Sequence, residues 1–234
     1  MNILAIDTSN QVLGVAIQQQ GHITGEIVTN VSKNHSVRLM PAIEKLMKEV
    51  SLKPEALDQI IVAKGPGSYT GVRIGLSTAK SMAWALNIPI IGISSLEVLA
   101  YQGRFFNGLI CPFFDARRGL VYSSCFKWED NNMVMIEPEA NMLMDEFLDK
   151  LKSYQHPVLF LSPDISVHQE RIQEKLGNLA VIPDATFQLP RASHLIMAAK
   201  ERSVDETHTL TPNYLRLAEA EAKWLEHQKR VNNE

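Results

Sequence analysis

The chain has 234 residues, 45% hydrophobic and 21% charged, with a formal net charge of −3. That length suffices for one large domain or two small ones, and the weak negative charge supplies no general attraction for nucleic acid. No stretch approaches the ~18 uninterrupted apolar residues of a membrane span. MNILAIDTSN opens directly on a strand-like run with no basic leader, and Cys111 and Cys125 sit in strand-like surroundings as buried apolar residues, so a reducing cytoplasmic location is expected.

NILAID (2–7) is an apolar run ending in Asp7, and QVLGVAIQQ (11–19) and HITGEIVTN (22–30) follow at hairpin spacing. A helix is predicted over 35–50, capped by Asn34, with Leu39, Ile43, Leu46 and Val50 on its core face and Val37, Met40 and Met47 on its other faces. DQIIVAK (58–64) predicts a strand, 71–86 a helix and IPIIGIS (88–94) a further strand. The second half begins with two strands around a turn at Ala116–Gly119, within LICPFFDARRGLVYSSCFKW (109–128). A helix (142–152), a strand (158–161), a helix (166–176), a strand (179–183) and a helix (192–202) follow. The expected fold is α/β, with two related lobes of mixed sheet flanked by helices, 1–105 and 106–234, the second abbreviated.

Between strand and helix lies GPGSYTGVRIG (65–75), which is no Walker loop because the Gly-Lys-[Ser/Thr] ending is missing. Gly65, Gly67 and Gly71 suit tight turns, Pro66 stiffens them, and Ser68 or Thr70 suits a helix cap. Gly71, Gly75, Ala79 and Ala83 recur every four residues on one helix face. A glycine inside a helix costs about 0.5–1 kcal/mol relative to alanine, so this strip is expected to let another helix approach closely.

Asp7-Thr8-Ser9, at a strand end before a hairpin, resembles the first phosphate loop of the superfamily containing actin, sugar kinases and heat-shock ATPases; an Asx turn serves the same residues without a ligand. Asp115-Ala116-Arg117-Arg118-Gly119 places bulky side chains where the second loop of those proteins carries glycines. Arg117 and Arg118 suit a phosphate of a ligand or of a nucleic acid, and an exposed turn held by an Asp-Arg pair is the alternative.

AIDTSN (5–10), NHSVRLMPAIEKLM (34–47), GPGSYTGVRIGLSTAK (65–80), DARRGLVYSS (115–124) and PNYLRLAEAEAKW (212–224) together resemble the bacterial TsaB family, also called YeaZ. The resemblance spans nearly the whole chain. It implies two actin-like ATPase (ribonuclease H-like) lobes and a part in placing threonylcarbamoyladenosine beside the anticodon of tRNAs that read codons starting with A. It also implies obligatory binding to TsaD, with the ATPase TsaE joining. The catalytic relatives carry a His-x-x-x-His metal motif after the strand equivalent to 88–94. Here those positions fall on Ser95 and Leu99, and no pair among the seven histidines lies three to five residues apart.

The resemblance therefore implies a non-catalytic paralogue with no metal. It would dock TsaD, or a second copy of itself, through Val37, Met40, Met47, Gly71, Gly75, Ala79 and Ala83, and would meet tRNA only through the complex. Any nucleotide (ATP or ADP) shared with TsaD and TsaE is expected near Asp7, Lys64, Ser68, Arg73 and Arg118. The C-terminal stretch 210–230 reads as an amphipathic helix, with Tyr214, Leu217, Ala220 or Glu221, and Trp224 near one stripe, serving as an interaction tail or packed on its own lobe. A stand-alone actin-like ATPase and a peptidase are the rival readings; no Ser-His-Asp order or zinc helix supports the latter.

Overall fold

Continuous apolar runs such as ILAID become strands buried on both faces, and the chain builds two sheets around them. The structure is a computed structural model that describes residues 1–32 and 34–216. Leu217, Ala220, Glu221 and Trp224 of the expected C-terminal helix lie outside the described residues.

In the first sheet β1 (Ile3–Asp7) pairs antiparallel with β2 (Val12–Gln19), which pairs antiparallel with β3 (His22–Asn30). On the other side β4 (Gln59–Ala63) and β5 (Ile90–Ile93) run parallel to β1, giving the order β3-β2-β1-β4-β5. The crossovers are α1 (His35–Glu49) and α2 (Tyr69–Leu86). The Asn34 side chain accepts from Ser36 N to cap α1, and Ser68 Oγ accepts from Gly71 N to cap α2. The short helix α3 (Ser95–Ala100) follows β5.

The second sheet repeats this plan. β6 (Leu109–Asp115), β7 (Leu120–Glu129) and β8 (Asn132–Leu143) form the antiparallel side, and β9 (Val158–Leu161) and β10 (Ala180–Val181) the parallel side, in the order β10-β9-β6-β7-β8. Its crossovers α4 (Met144–Ser153) and α5 (Ile165–Leu176) have 10 and 12 residues against 15 and 18 in the first lobe. The α/β fold of two mixed sheets flanked by helices is as expected. β8 was not foreseen: Glu137, Pro138, Glu139 and Asn141 dilute its apolar alternation, which an edge strand facing water on one side tolerates.

Alternation along the central strands divides the first core. Leu4 and Ile6 face the cluster under α1 and α2, with Leu39, Ile43, Leu46, Leu76 and Ala79. Ala5 and Ile61 face the other side, where Val98 of α3 meets Ala192, Leu195 and Ile196 of α6 (Ala192–Ala198). α6 thus packs on the first sheet although its sequence position follows the second. Residues 205–213 return with it: Asp205 N donates to Ile90 O at 3.0 Å and Asn213 N to Lys64 O at 2.7 Å. The other face of α3 packs on the second sheet, where Leu96, Leu99 and Ala100 meet Ile110, Phe114, Phe126 and Leu161 in one dry cluster. The helix between the sheets therefore belongs to both cores.

Two expectations for the first lobe's helices are corrected. Met47 is only 5% exposed and belongs to the core with Leu46, because it neighbours Ile43 on the inward side of α1. The strip Gly71, Gly75, Ala79 and Ala83 also faces inward and is buried by the molecule itself. It is smooth because α2 crosses directly over the end of β1. A Cβ on Gly71 would fall on the Thr8 carbonyl oxygen, and one on Gly75 would fall on the Thr8 hydroxyl. Exposed large apolar side chains on this pair of helices include instead Val37 (68%), Met40 (50%) and Trp84 (69%), with Tyr69 at the start of α2.

Candidate functional site

The loop after β1 closes on itself. Asp7 Oδ1 accepts from Ser9 N at 2.8 Å and from Ser9 Oγ at 2.7 Å, and Asn10 Oδ1 accepts from Val12 N at 2.8 Å. These are Asx turns. Asp7 is buried, its Oδ2 has no partner among the described residues, and burial pushes its carboxyl above the usual aspartate range against the opposing pull of the Ser9 bonds.

The glycine-rich loop lies on that turn. Ser68 N donates to Ser9 O at 2.7 Å, and a Cβ on Gly67 would occupy the position of that same carbonyl oxygen. Gly65 has φ +95°, with its would-be Cβ 2.9 Å from Asn213 O. Gly65, Gly67 and Gly71 therefore serve close backbone approach, and the space over Asp7-Thr8-Ser9 is filled by protein. Ser68 is occupied with its cap and Asp7 is sealed beneath. Lys64 is half-buried near Glu139, whose carboxylate accepts from the Ser94 hydroxyl and from Asn213 Nδ2 (2.7 Å). Burial raises the Glu139 carboxyl above its ordinary range, and the Ser94 and Asn213 bonds oppose that rise.

The Asp115–Gly119 turn is held differently from the expected Asp-Arg pair. Asp115 Oδ1 pairs with the buried His168 Nε2 at 2.9 Å, and its Oδ2 accepts from the backbone N of Arg117 at 3.1 Å. Asp164 Oδ2 accepts from Asp115 N at 3.1 Å. Arg117 and Arg118 both adopt left-handed φ, +65° and +57°, and Gly119 follows at +75°. This conformation is rarely taken by two consecutive non-glycine residues, and both arginines are exposed.

The turn borders a cleft of about 330 Å³ between the lobes. Arg117, Arg118 and Arg216 line it together with Tyr69, Tyr122 and Tyr214. Tyr69 and Tyr214 stack with centroids 5.1 Å apart, and the Arg73 guanidinium sits 3.9 Å over the Tyr69 ring while its Nε donates to Tyr214 Oη at 2.6 Å. Arg73 thus fixes the stack. Of the five residues expected around a nucleotide, the structure puts Arg118 at this cleft, Ser68 at a neighbouring one, Arg73 against the tyrosines, Lys64 beside Glu139 and Asp7 under the glycine loop. Tyr69, Tyr122 and Arg216 were not singled out from sequence, because they come from three separate segments.

At the two positions compared above with the His-x-x-x-His motif, Ser95 Oγ accepts from Gly65 N at 3.1 Å and Leu99 is buried in the cluster between the sheets. Glu97 between them pairs with Arg202 Nη2 at 2.8 and 3.0 Å. Among the described residues no group of three His, Cys, Asp or Glu side chains could hold a metal ion.

Comparison with known proteins places this arrangement. Residues 12–224 match the family described as TsaD, tRNA N6-adenosine threonylcarbamoyltransferase. The tRNA threonylcarbamoyladenosine biosynthesis protein TsaB of Bacillus subtilis is 48% identical over 229 residues, covering 98% of this chain and all of that protein. Two solved structures from Pseudomonas aeruginosa, one of YeaZ and one of an uncharacterized protein described as similar to peptidase YeaZ, superpose with TM-scores of 0.78 and 0.80. Each shares 25% identity and covers 92% of this chain and 99% of its own. The chain belongs to the TsaB family of tRNA threonylcarbamoyladenosine biosynthesis proteins.

Proposed function

We propose that this protein is a non-catalytic subunit for threonylcarbamoyl transfer to tRNA, acting by docking TsaD, with TsaE joining the assembly in the cytoplasm. The reading rests chiefly on one observation: 48% identity to a TsaB protein over nearly the full length, in a chain that sets a buried serine bonded to Gly65 N and a core leucine where the resemblance compares two metal ligands. A leucine inside a dry cluster offers no lone pair to a metal.

The docking surface is the outer face of α1 and α2, carrying Val37, Met40 and Trp84. Exposed apolar side chains on two neighbouring helices suit a partner helix pair, and a large exposed indole is the kind of anchor that dominates an interface. Without TsaD the same face would pair two copies of this chain. The rigid core beneath, from Leu39 and Ile43 to Leu76 and Ala79, presents the two helices in fixed geometry. Any nucleotide shared with TsaD and TsaE is contributed largely by those partners, since the glycine loop of this chain is closed by its own backbone.

The test is reconstituted tRNA threonylcarbamoylation with the cognate partners, ATP, threonine and bicarbonate. Product is expected only when this protein is present. Met40→Glu with Trp84→Glu is expected to abolish product and co-elution with TsaD while leaving the thermal midpoint unchanged. Equal product without the protein would overturn the scaffold reading, and retained co-elution by the double variant would move the interface elsewhere.

A further inference from the structure

The chain beyond α6 returns across the first lobe, and its two halves, 205–210 and 211–216, are held differently. The first half is anchored to the sheet and its core. Asp205 Oδ2 accepts from Gly92 N at 2.8 Å, Asp205 N donates to Ile90 O at 3.0 Å, and the Leu210 side chain is buried among the residues under α1 and α2. Lys80 Nζ, on α2, donates to the carbonyls of His208 (3.1 Å) and Leu210 (2.8 Å). The second half lies on the surface, with Thr211, Tyr214 and Arg216 exposed. It meets the first turns of α2 through Tyr214, which stacks on Tyr69 and accepts from Arg73 Nε. Tyr69, Arg73 and Lys80 share one face of α2, so the returning chain runs along that helix.

Asn213 is the centre of the second half. Its N donates to Lys64 O at 2.7 Å, its carbonyl passes where only a glycine at position 65 leaves room, and its Nδ2 donates to Glu139 Oε2 at 2.7 Å. Glu139 belongs to β8 in the second lobe, and its other oxygen accepts from the Ser94 hydroxyl at the start of α3. Ser94 Oγ already accepts from the Leu96 and Glu97 amides, so α3 keeps its cap without Glu139. A half-buried carboxylate is costly to place, and both side-chain bonds that Glu139 accepts run to segments of the first lobe. What it adds is a charge-assisted bond from the second lobe to a surface segment of the first.

We infer that residues 211–216 are a strap that opens as a unit about Leu210, and that Glu139 is its clasp, a positioning residue through which the second lobe holds the strap over Tyr69 and Arg73 at the start of α2. Closed, the strap fixes those two side chains; open, it frees them at one end of a helix that carries the proposed docking face. The strap is then the two-state element that both the second lobe and a partner on α2 bias. The clasp is a property of the isolated chain, whereas its effect on TsaD rests on the docking reading.

The experiment is native-state amide hydrogen exchange of the full-length protein at single-residue resolution. The amide of residue 213 reports the strap, and the Asp205 and Leu210 amides, bonded to Ile90 O and Glu206 O, report the anchored half. Glu139→Ala is expected to speed exchange at residue 213 by about tenfold or more while Asp205 and Leu210 change by less than about twofold. Asn213→Ala removes the same bond from its other end and serves as the test even where Glu139→Ala fails to fold; it is expected to act alike, and the double variant to add nothing to either single one. Unchanged exchange at residue 213, equal acceleration at all three amides, or additive effects would overturn the clasp. Asn213→Ala is also expected to bind purified TsaD about threefold or more weakly than the parent protein, because Tyr69 and Arg73 lose their fixed geometry. Equal affinity would overturn the link to docking. Absence of TsaD binding by the parent protein would overturn the docking reading and that link together, and the exchange result would still decide the clasp.

Discussion

The Thr8 hydroxyl donates to the Gly71 carbonyl at 2.7 Å and at the same time occupies the place where a side chain on Gly75 would begin. One oxygen thus joins the loop after β1 to the first turns of α2 and fixes how closely the helix sits on the sheet. The phosphate-loop-like sequence is used for internal packing.

Gly75→Ala is expected to destabilise the protein by about 1–3 kcal/mol, since overpacking outweighs the roughly 1 kcal/mol of helix propensity that alanine adds. In a Thr8→Ala background the nearest atoms to the new Cβ would be about 3.6 Å away, and the same change becomes neutral or stabilising. Urea midpoints for the four proteins measure the coupling. Additive effects would show that α2 does not rest on Thr8.

Leu99→Ala opens a cavity in the cluster shared by α3 and the second sheet, and a loss of about 2–5 kcal/mol is expected. Reinstating both imidazoles with Ser95→His and Leu99→His is expected to destabilise further, without zinc uptake, because α3 is closed on both sides. Thermal denaturation together with metal content of the purified variant decides this.

Burial in the α3–α6 core, reinforced by the Arg104 charge, holds the His194 imidazole down to a pKa of about 4 from an ordinary 6.5. The neutral form is the one folded. Above pH 6.5 its contribution is complete; as pH falls from 6.5 to about 4 the unfolded chain takes up a proton that the folded chain refuses, and stability declines by roughly 3 kcal/mol. His194→Gln should flatten the stability profile across that window, measured by urea unfolding at stepwise pH. An unchanged slope would assign the acid sensitivity to other groups.

Cys111 and Cys125 lie on neighbouring strands with their sulfurs 3.3 Å apart, both fully buried, and burial pushes the Cys111 thiol well above its ordinary range. Neither should react with a thiol reagent in the native protein. Two equivalents should react in denaturant, and the rate of native labelling should follow global unfolding.

Much of this was legible in local sequence. Asn34 and the four- and three-residue spacing of Leu39, Ile43 and Leu46 announce α1, and the continuous apolar runs announce β1, β4 and β6. The motif blocks identify the family, and Ser95 and Leu99 show by residue type alone that two imidazoles are missing. These are properties of single residues or of short periods, and they survive without knowledge of neighbours.

What the sequence could not decide is which surface each pattern meets. Gly71, Gly75, Ala79 and Ala83 specify close approach, but only the tertiary structure shows that Thr8 and the protein's own sheet make it, leaving Trp84 outside. Likewise Tyr69, Arg117, Arg118 and Tyr214 belong to distant segments and become one cleft only because residues after α6 return across the first lobe to meet the β6–β7 turn. Periodicity fixes which residues share a face; burial depends on what the rest of the chain brings against that face, and that is set by long-range packing.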